Sequence, residues 1–200
     1  MTALFHFCSL RLSYVTFFFN AFLLKWRGRN ISVGKKIATF GAPILMLKRN
    51  SRLAIGSNCT FRSKLKSNVL GVGHPVIFST LRAGAEIVIG NCVGISGGAL
   101  CAMTSINIGN RVLIGANTTI ADSDFHPLSP ESRRMNGLDI RTAPITIGDD
   151  VFIGTGCLIL KGVSIGENSV IGAGSVVTKD IPPWVIAAGN PCEVVRDLRS

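Results

Sequence analysis

The sequence predicts an all-β protein whose short strands stack as the coils of a parallel solenoid. The first observation is a six-residue period, which is longer than a helical turn and suits one short strand followed by one turn. The second is a glycine that often follows the apolar residue, with Asn or Asp next, as in Gly90-Asn91 and Gly148-Asp149. These residue types readily take turn conformations. The longest unbroken run is Ile147, Ile153, Ile159, Ile165, Ile171 and Val177.

Three such units close one triangular coil of about 18 residues, and stacked coils bury an apolar column between parallel sheets. Weaker repeats occur earlier, at Ile31 and Ile37 and at Ile55 and Phe61. A step of seven residues separates two later runs and predicts one inserted residue there. The runs expected to face the core are Ile77, Ala83, Ile89, Ile95 and Cys101, followed by Ile108, Ile114 and Ile120.

Residues 1–30 are predicted to form an amphipathic helix and a basic linker. Arg11 and other polar residues argue against a membrane span, because a charge inside the bilayer is costly. An interfacial membrane helix and a helix packed on its own domain or on a neighbouring subunit both remain open. The polar residues recur every three or four positions and share one helical stripe, namely Thr2, His6, Ser9, Ser13, Thr16 and Asn20.

The net charge of +10 comes entirely from the N-terminal part of the chain. Residues 1–85 contain 13 Lys or Arg and no Asp or Glu, whereas residues 86–200 contain 8 basic and 11 acidic residues. Such a field favours an anionic neighbour, for example a membrane surface or a phosphorylated substrate. No nucleic-acid recognition motif is present, so we expect no nucleic-acid partner. The basic residues expected to act here are Lys48, Arg49, Arg52, Arg62, Lys64 and Lys66.

The repeat stops between Ile120 and Ile147. Residues 121–144 are polar, contain three prolines and lack periodicity, so they are predicted to leave the coil as a loop. In a solenoid, a long excursion of this kind commonly bears the functional residues. It contains His126, one of three histidines, together with Asp122 and Asp124.

The repeat over about residues 77–177 resembles the left-handed β-helix of the hexapeptide-repeat acyltransferases. The histidine-proline after the coil and the return through Pro144-Ile145-Thr146-Ile147-Gly148 are similar to the galactoside and maltose O-acetyltransferases. They are more similar still to the acetyltransferases of surface-polysaccharide pathways. Left-handedness follows from this resemblance alone, since general chirality rules favour right-handed crossovers. The β-helix is expected over 31–183, followed by a C-terminal element over 184–200.

The resemblance implies transfer of an acetyl group from acetyl-CoA to a sugar hydroxyl in capsule, lipopolysaccharide or exopolysaccharide synthesis. His126 matches the loop histidine that serves as general base in the family. The chemistry requires such a group, because a hydroxyl is a poor nucleophile until its proton is removed. Asp124 or Asp122 is expected to fix the imidazole tautomer, as the third member of a triad does.

The C-terminal motifs imply a coenzyme A site in a groove between the coils of two subunits, and hence a homotrimer. Glu193 departs from the family pattern, which has Arg at that position in sugar acetyltransferases, so one phosphate contact is in doubt. Small residues near Ala173 allow a pantetheine arm to approach the backbone. The residues that match the cofactor-binding positions are Thr155, Ala173, Thr178, Lys179 and Arg196.

Two alternatives remain on the same scaffold: N-acylation of an amino sugar, and a non-catalytic β-helix that assembles complexes. A zinc lyase is not expected, because His6, His74 and His126 lack the spacing of a three-histidine site, and no metal is predicted. The six cysteines form no C-x-x-C pair. We therefore expect a reducing, cytoplasmic location, with contact to the inner face of the membrane through residues 2–29.

Overall fold

The computed structural model describes residues 14–23, 30–135 and 139–199. Within these ranges, twenty strands form three sheets around one apolar column. All pairings are parallel except the last one in sheet B, between β19 and β20. We call the turns from sheet A to B, from B to C and from C to A the first, second and third corners of each coil.

The strands alternate regularly among the three sheets. Sheet A contains β1 (Asn30–Val33), β4 (Arg52–Ile55), β7 (Glu86–Ile89), β10 (Ser105–Ile108), β13 (Ile145–Ile147) and β16 (Ser164–Ile165). Sheet B contains β2 (Ala38–Phe40), β5 (Thr60–Arg62), β8 (Gly94–Ser96), β11 (Leu113–Ile114), β14 (Phe152–Ile153), β17 (Val170–Ile171), β19 (Val185–Gly189) and β20 (Cys192–Asp197). Sheet C contains β3 (Ile44–Met46), β6 (Ile77–Thr80), β9 (Ala99–Ala102), β12 (Thr119–Ala121), β15 (Leu158–Ile159) and β18 (Val176–Val177).

The strand register confirms the predicted coil. Ile147 pairs with Ile165 and Ile153 pairs with Ile171, so successive coils are offset by 18 residues. The aliphatic residues of the long run are all buried, and those 18 positions apart stack directly above one another. The weaker repeats at Ile31, Ile37, Ile55 and Phe61 are also buried, which confirms that the column extends to the N-terminal coils.

Three of the predicted core positions are wrong. Ile77 and Cys101 are only partly buried and Ala83 is exposed, whereas Phe78 and Leu100 fill the column. Leu100 pairs with Ile120. The second corner of this coil is thus one residue shorter than the regular spacing, and the third corner is two residues longer than it. The tight second corner is possible because it consists of Gly97 and Gly98, and Gly97 has a φ of 52°.

Two corners are expanded by insertions. The second corner after β5 contains residues 63–76, with a 3₁₀ helix at Leu65–Ser67. The third corner after β12 contains the predicted excursion, because strands end at Ala121 and resume at Ile145. Within it, α2 spans Pro130–Arg134. At the C-terminal end, β19 and β20 form an antiparallel hairpin that extends sheet B.

Helix α1, residues 14–23, lies at the N-terminal end of the column. Phe17 and Ala21 are buried there, and the Phe17 ring lies 6.2 Å from that of Phe61. The rest of the predicted amphipathic helix and the linker, residues 1–13 and 24–29, lie outside the described residues. Among the helices that the structure describes, none has the length and apolarity needed to cross a bilayer.

We expect truncation of one inward side chain to unfold the coil far more readily than truncation of its outward neighbour. Ile114→Ala removes a side chain that is 3% exposed, and Leu113→Ala removes one that is 55% exposed. The first change should lower the free energy of unfolding by about 2–5 kcal/mol, because it leaves a cavity. The second should lower it by less than about 1 kcal/mol. Equal losses in urea titrations of the two variants would contradict the inward column.

Candidate active site

The loop of residues 121–144 is anchored by a short antiparallel stem. Ser123 forms a bridge with Thr142, and the Asp124 N–H donates to the Arg141 carbonyl over 3.1 Å. The Ala143 N–H in turn donates to the Asp122 carbonyl over 3.0 Å. The two ends of the loop therefore leave and rejoin the third corner side by side, and they present the residues between them away from the column.

His126 lies on a tight turn just beyond this stem. Phe125 adopts a φ of 60°, and the His126 N–H donates to the Asp124 carbonyl over 2.7 Å. The His126 side chain is exposed, whereas Pro127 directly after it is buried. The turn consequently presents the imidazole to solvent from a backbone that is fixed on both sides.

Helix α2 stabilises the segment that follows. Ser129 is its N-cap and accepts a hydrogen bond from the Ser132 N–H over 3.1 Å, which satisfies a free donor of the first turn. The Arg133 guanidinium donates to the Leu128 carbonyl over 2.7 Å. These contacts give residues 127–134 a defined path away from His126.

Asp122 is a structural residue in this arrangement. Its side chain is fully buried, and its two carboxylate oxygens accept the Met103 and Thr104 N–H groups at 2.6 Å each. Burial raises the pKa of the Asp122 carboxyl, and these hydrogen bonds act in the opposite direction. Both oxygens thus hold the start of the loop to the preceding coil. This leaves Asp124 as the candidate for orienting His126.

Asp124 forms an ion pair that the sequence analysis missed. Its Oδ1 lies 2.5 Å from Lys161 Nζ, and the two side chains are 18% and 31% exposed. Its Oδ2 is buried and has no hydrogen-bond partner among the described residues. Lys161 stands one coil below Lys179 at the same third corner, as the pairing of β15 with β18 shows. Because Lys161 precedes the predicted site residue Lys179 by one coil of 18 residues, the sequence already contained a signal for its position at this corner.

The predicted cofactor-binding residues fall on different parts of the surface of one chain. Thr155 and Ala173 stack at the second corner, where the Gly174 N–H donates to the Thr155 carbonyl over 2.8 Å. Thr178 and Lys179 are exposed at the third corner, the one from which the loop leaves. Arg196 is exposed on β20 in sheet B. The structure thus places Thr155 beside Ala173 and Thr178 beside Lys179. A single chain does not bring all five residues to one place.

Two of these residues differ in the contacts they already make. The Thr155 hydroxyl donates to the Ala116 carbonyl over 2.6 Å, so it stabilises the corner. Ala173 is exposed, and a Cβ added at Gly174 would meet nothing within 4 Å. The backbone at this corner is therefore accessible to a ligand.

The other described histidine, His74, lies at a different corner from His126. His74 lies in the 63–76 insertion, with its Nδ1 2.7 Å from the Pro75 carbonyl oxygen, and His6 lies outside the described residues. In the part of the chain that the structure covers, no three His, Cys, Asp or Glu side chains are grouped as metal ligands. An open groove of about 380 Å³ occupies sheet B, between Asn68 and Phe152, and none of the predicted catalytic or cofactor-binding residues lines it.

This architecture defines a class: parallel β-helices of hexapeptide repeats with a histidine-bearing loop at one corner. A family model described as the hexapeptide repeat of succinyl-transferase matches residues 144–179. The galactoside O-acetyltransferase of Escherichia coli strain K12 is 52% identical over 94 residues, which are 47% of this chain and 45% of that protein. The chain spans about half the length of the curated relatives it matches.

Solved structures agree with this similarity. A galactoside acetyltransferase in complex with coenzyme A is 40% identical, with a TM-score of 0.58, over 72% of this chain and 64% of that one. A polysialic acid O-acetyltransferase is 23% identical, with a TM-score of 0.70, over 85% and 75% of the two chains, and shows the fold alone. These neighbours confirm the predicted left-handed β-helix. Over the matched residues the chain has the hexapeptide repeat and is similar to hexapeptide-repeat acetyltransferases.

Replacing Asp122 with Ala should destabilise the protein and loosen the loop. The change leaves two backbone N–H groups of the preceding coil without an acceptor, at a cost of about 2–4 kcal/mol. The matched control is Asp139→Ala, which removes an exposed loop carboxylate and should cost less than about 1 kcal/mol. Urea unfolding measures both, and limited proteolysis reports cleavage within residues 121–144. An Asp122→Ala protein as stable as the control would refute the anchoring role.

Proposed function

We propose that the protein transfers an acetyl group from acetyl-CoA to a sugar hydroxyl, with His126 as the general base. The observation that carries this proposal is the exposed His126 on a fixed turn beside the Asp124–Lys161 pair. The 52% identity to a galactoside O-acetyltransferase over 94 residues supports a sugar acceptor.

The proton transfer follows from the nature of the reaction. His126 removes the proton of the sugar hydroxyl as its oxygen forms a bond to the thioester carbonyl carbon. Backbone N–H groups are the simplest donors to the oxyanion that develops. The carbon–sulfur bond then breaks, and the imidazolium returns the proton to the departing thiolate. The products are an O-acetyl ester and free coenzyme A, and His126 regains its starting state.

Asp124 is proposed to orient the imidazole during this cycle. Its buried Oδ2 is the acceptor that remains after Lys161 takes Oδ1. A carboxylate that accepts from one ring nitrogen fixes the tautomer, leaves the other nitrogen free to act as base, and stabilises the imidazolium.

The coenzyme A site is proposed to lie between neighbouring subunits. Ala173 offers an open backbone at the second corner, and Thr178, Lys179 and Arg196 offer donors to phosphates elsewhere on the surface, with Thr155 supporting the corner. Corners from two copies are needed to bring these residues to one ligand. The outer face of sheet C is apolar at Met46 and other positions, which suits contact between copies and supports a homotrimer.

The acceptor is proposed to be a sugar or lipid-linked saccharide of a surface polysaccharide, acylated at the inner face of the cytoplasmic membrane. In this proposal, residues 1–30 form an amphipathic helix and basic linker, with membrane contact through residues 2–29. Residues 31–183 form the β-helix and 184–200 a C-terminal element. N-acylation of an amino sugar is the second candidate, and paired acceptors with a hydroxyl or an amine at the same carbon distinguish the two. A non-catalytic scaffold would bind no coenzyme A in calorimetry.

His126→Ala should abolish most turnover while leaving acetyl-CoA binding intact. Loss of a positioned base typically lowers the rate by about 10²–10⁴-fold. A thiol-release assay with a galactoside acceptor measures kcat, and calorimetry measures the dissociation constant of acetyl-CoA. His74→Ala is the control, because His74 lies in another insertion and should keep wild-type turnover. Undiminished kcat for His126→Ala would overturn the assignment.

The cellular acceptor can be identified with the same variant. Proton NMR of the surface polysaccharide compares a deletion strain complemented with wild type or with His126→Ala. O-acetyl signal that returns only with wild type supports the proposal, and the lost resonance names the sugar. Unchanged acetylation on deletion would place the acceptor outside this polysaccharide.

Lys161→Met should lower kcat by about 10-fold with little change in the KM for acetyl-CoA, because the Asp124 carboxylate loses the partner that fixes its position. The conservative variant Lys161→Arg retains the charge and should recover most of the loss. A thermal midpoint within a few degrees of wild type would separate positioning from unfolding. Equal kcat for Met, Arg and wild type would show that the ion pair plays no part in the reaction.

A further inference from the structure

Helix α1 has two apolar faces, and the β-helix covers only one of them. Phe17 and Ala21 are buried against the end of the column. Val15, Phe19 and Phe22 follow the i, i+4, i+7 pattern on the opposite face and are 60%, 58% and 66% exposed. The polar residues Thr16 and Asn20 lie between the two faces along one side of the helix. The helix is therefore fixed to the protein while it presents three large apolar side chains outward.

Exposed cations surround this end of the β-helix at all three corners. None of the residues from 1 to 85 is acidic. Some cations of this region are already engaged: Arg52 pairs with Glu86 at 3.0 Å, and Arg62 donates to the Ser67 carbonyl and lies over the Phe40 ring. The cationic ring, as we call the exposed set, contains Lys35 and Lys36 at the first corner, Lys64 and Lys66 at the second, and Lys48 and Arg49 at the third.

We propose that this end of the β-helix docks on an anionic bilayer, with α1 lying in the membrane plane. Val15, Phe19 and Phe22 insert among the lipid chains near the headgroups, and the cationic ring contacts lipid phosphates. The combination selects this partner. A second copy docked on the same face would bring two rings of cations together, and nucleic acid would leave the apolar side chains in water.

This docking also sets the distance between the membrane surface and the candidate site. That consequence deepens the proposed function and rests on it. The loop with His126 follows β12, which is three strands from β3 of the first coil in sheet C. At a strand spacing of about 4.8 Å, the base of the loop lies about 14 Å beyond the first coil. A saccharide linked to a lipid diphosphate can project that far from the headgroups. The geometry therefore places the candidate site within reach of a membrane-bound acceptor.

Flotation of the full-length protein with vesicles tests the docking. Neutral phosphatidylcholine vesicles are compared with vesicles that contain about 30 mol% phosphatidylglycerol. We expect binding to the anionic vesicles that weakens at least 10-fold when salt rises from about 50 mM to about 500 mM, because surface charges are then screened. Binding that is equal on neutral vesicles, or absent from both, overturns the proposal.

Matched variants separate charge from insertion. Lys48→Gln/Lys64→Gln should weaken binding about 25-fold, at roughly fivefold for each cation. The control Arg134→Gln/Arg141→Gln removes two exposed charges from the loop and should change binding less than about twofold. Phe19→Ser should weaken binding at least 10-fold, whereas Leu113→Ser, an equally exposed site on sheet B, should not. If the two double variants weaken binding equally, or if Phe19→Ser and Leu113→Ser do so, the assigned membrane-binding surface is wrong.

Two further measurements complete the test. Sedimentation of wild type and Phe19→Ser shows whether the apolar face instead joins two copies; loss of a larger assembly in the variant would overturn membrane docking. Acetyl transfer to a water-soluble galactoside is measured in parallel for Phe19→Ser. Normal transfer with lost vesicle binding supports docking as a separate function of this end. If the wild-type protein transfers acetyl groups normally but does not bind vesicles, docking is refuted while the proposed enzymatic function is retained.

Discussion

Each coil of this protein rests on its neighbours through parallel backbone hydrogen bonds and through an unbroken column of inward aliphatic side chains. The spacing between coils leaves no room at some corners: a Cβ at Gly154 would lie 2.5 Å from the Ala173 nitrogen. The same requirement recurs at Gly115, where a Cβ would lie 2.6 Å from the Gly154 carbonyl carbon. Stacking therefore dictates both the hydrophobic period and the glycines beside it. It also supplies the rigid corners that bear the candidate site residues, except Arg196 on β20.

The loop depends on that rigid corner. Asp122 replaces a strand hydrogen bond by accepting two N–H groups of the preceding coil, so the chain can leave the column without exposing unpaired donors. The stem then places Asp124 against Lys161 one coil further on, and the next turn presents His126. Anchoring of the loop and the proposed orientation of His126 are thus divided between two aspartates only two positions apart. The division explains why a sequence pattern that contains both does not distinguish their roles.

Helix α1 closes the opposite end of the column by a different means. A solenoid end exposes the last layer of its apolar core, and Phe17 covers it in contact with Phe61. The earlier alternatives, a helix on a membrane and a helix on its own domain, are therefore not exclusive. One face packs on the coil, and the face with Phe19 remains for a partner.

The sequence by itself determined the repeat, the parallel stacking, the position of the excursion and the histidine within it, because these depend on residues close together in the chain. It misplaced Ile77 and Cys101, since corner length is decided by how a coil fits the ones above and below it. Left-handedness came from family resemblance. Only the tertiary structure revealed the pairing of Asp124 with Lys161, 37 residues apart, and the exposed face of α1. The first depends on a contact between coils and the second on the packing of α1 against the column, and a six-residue period specifies neither.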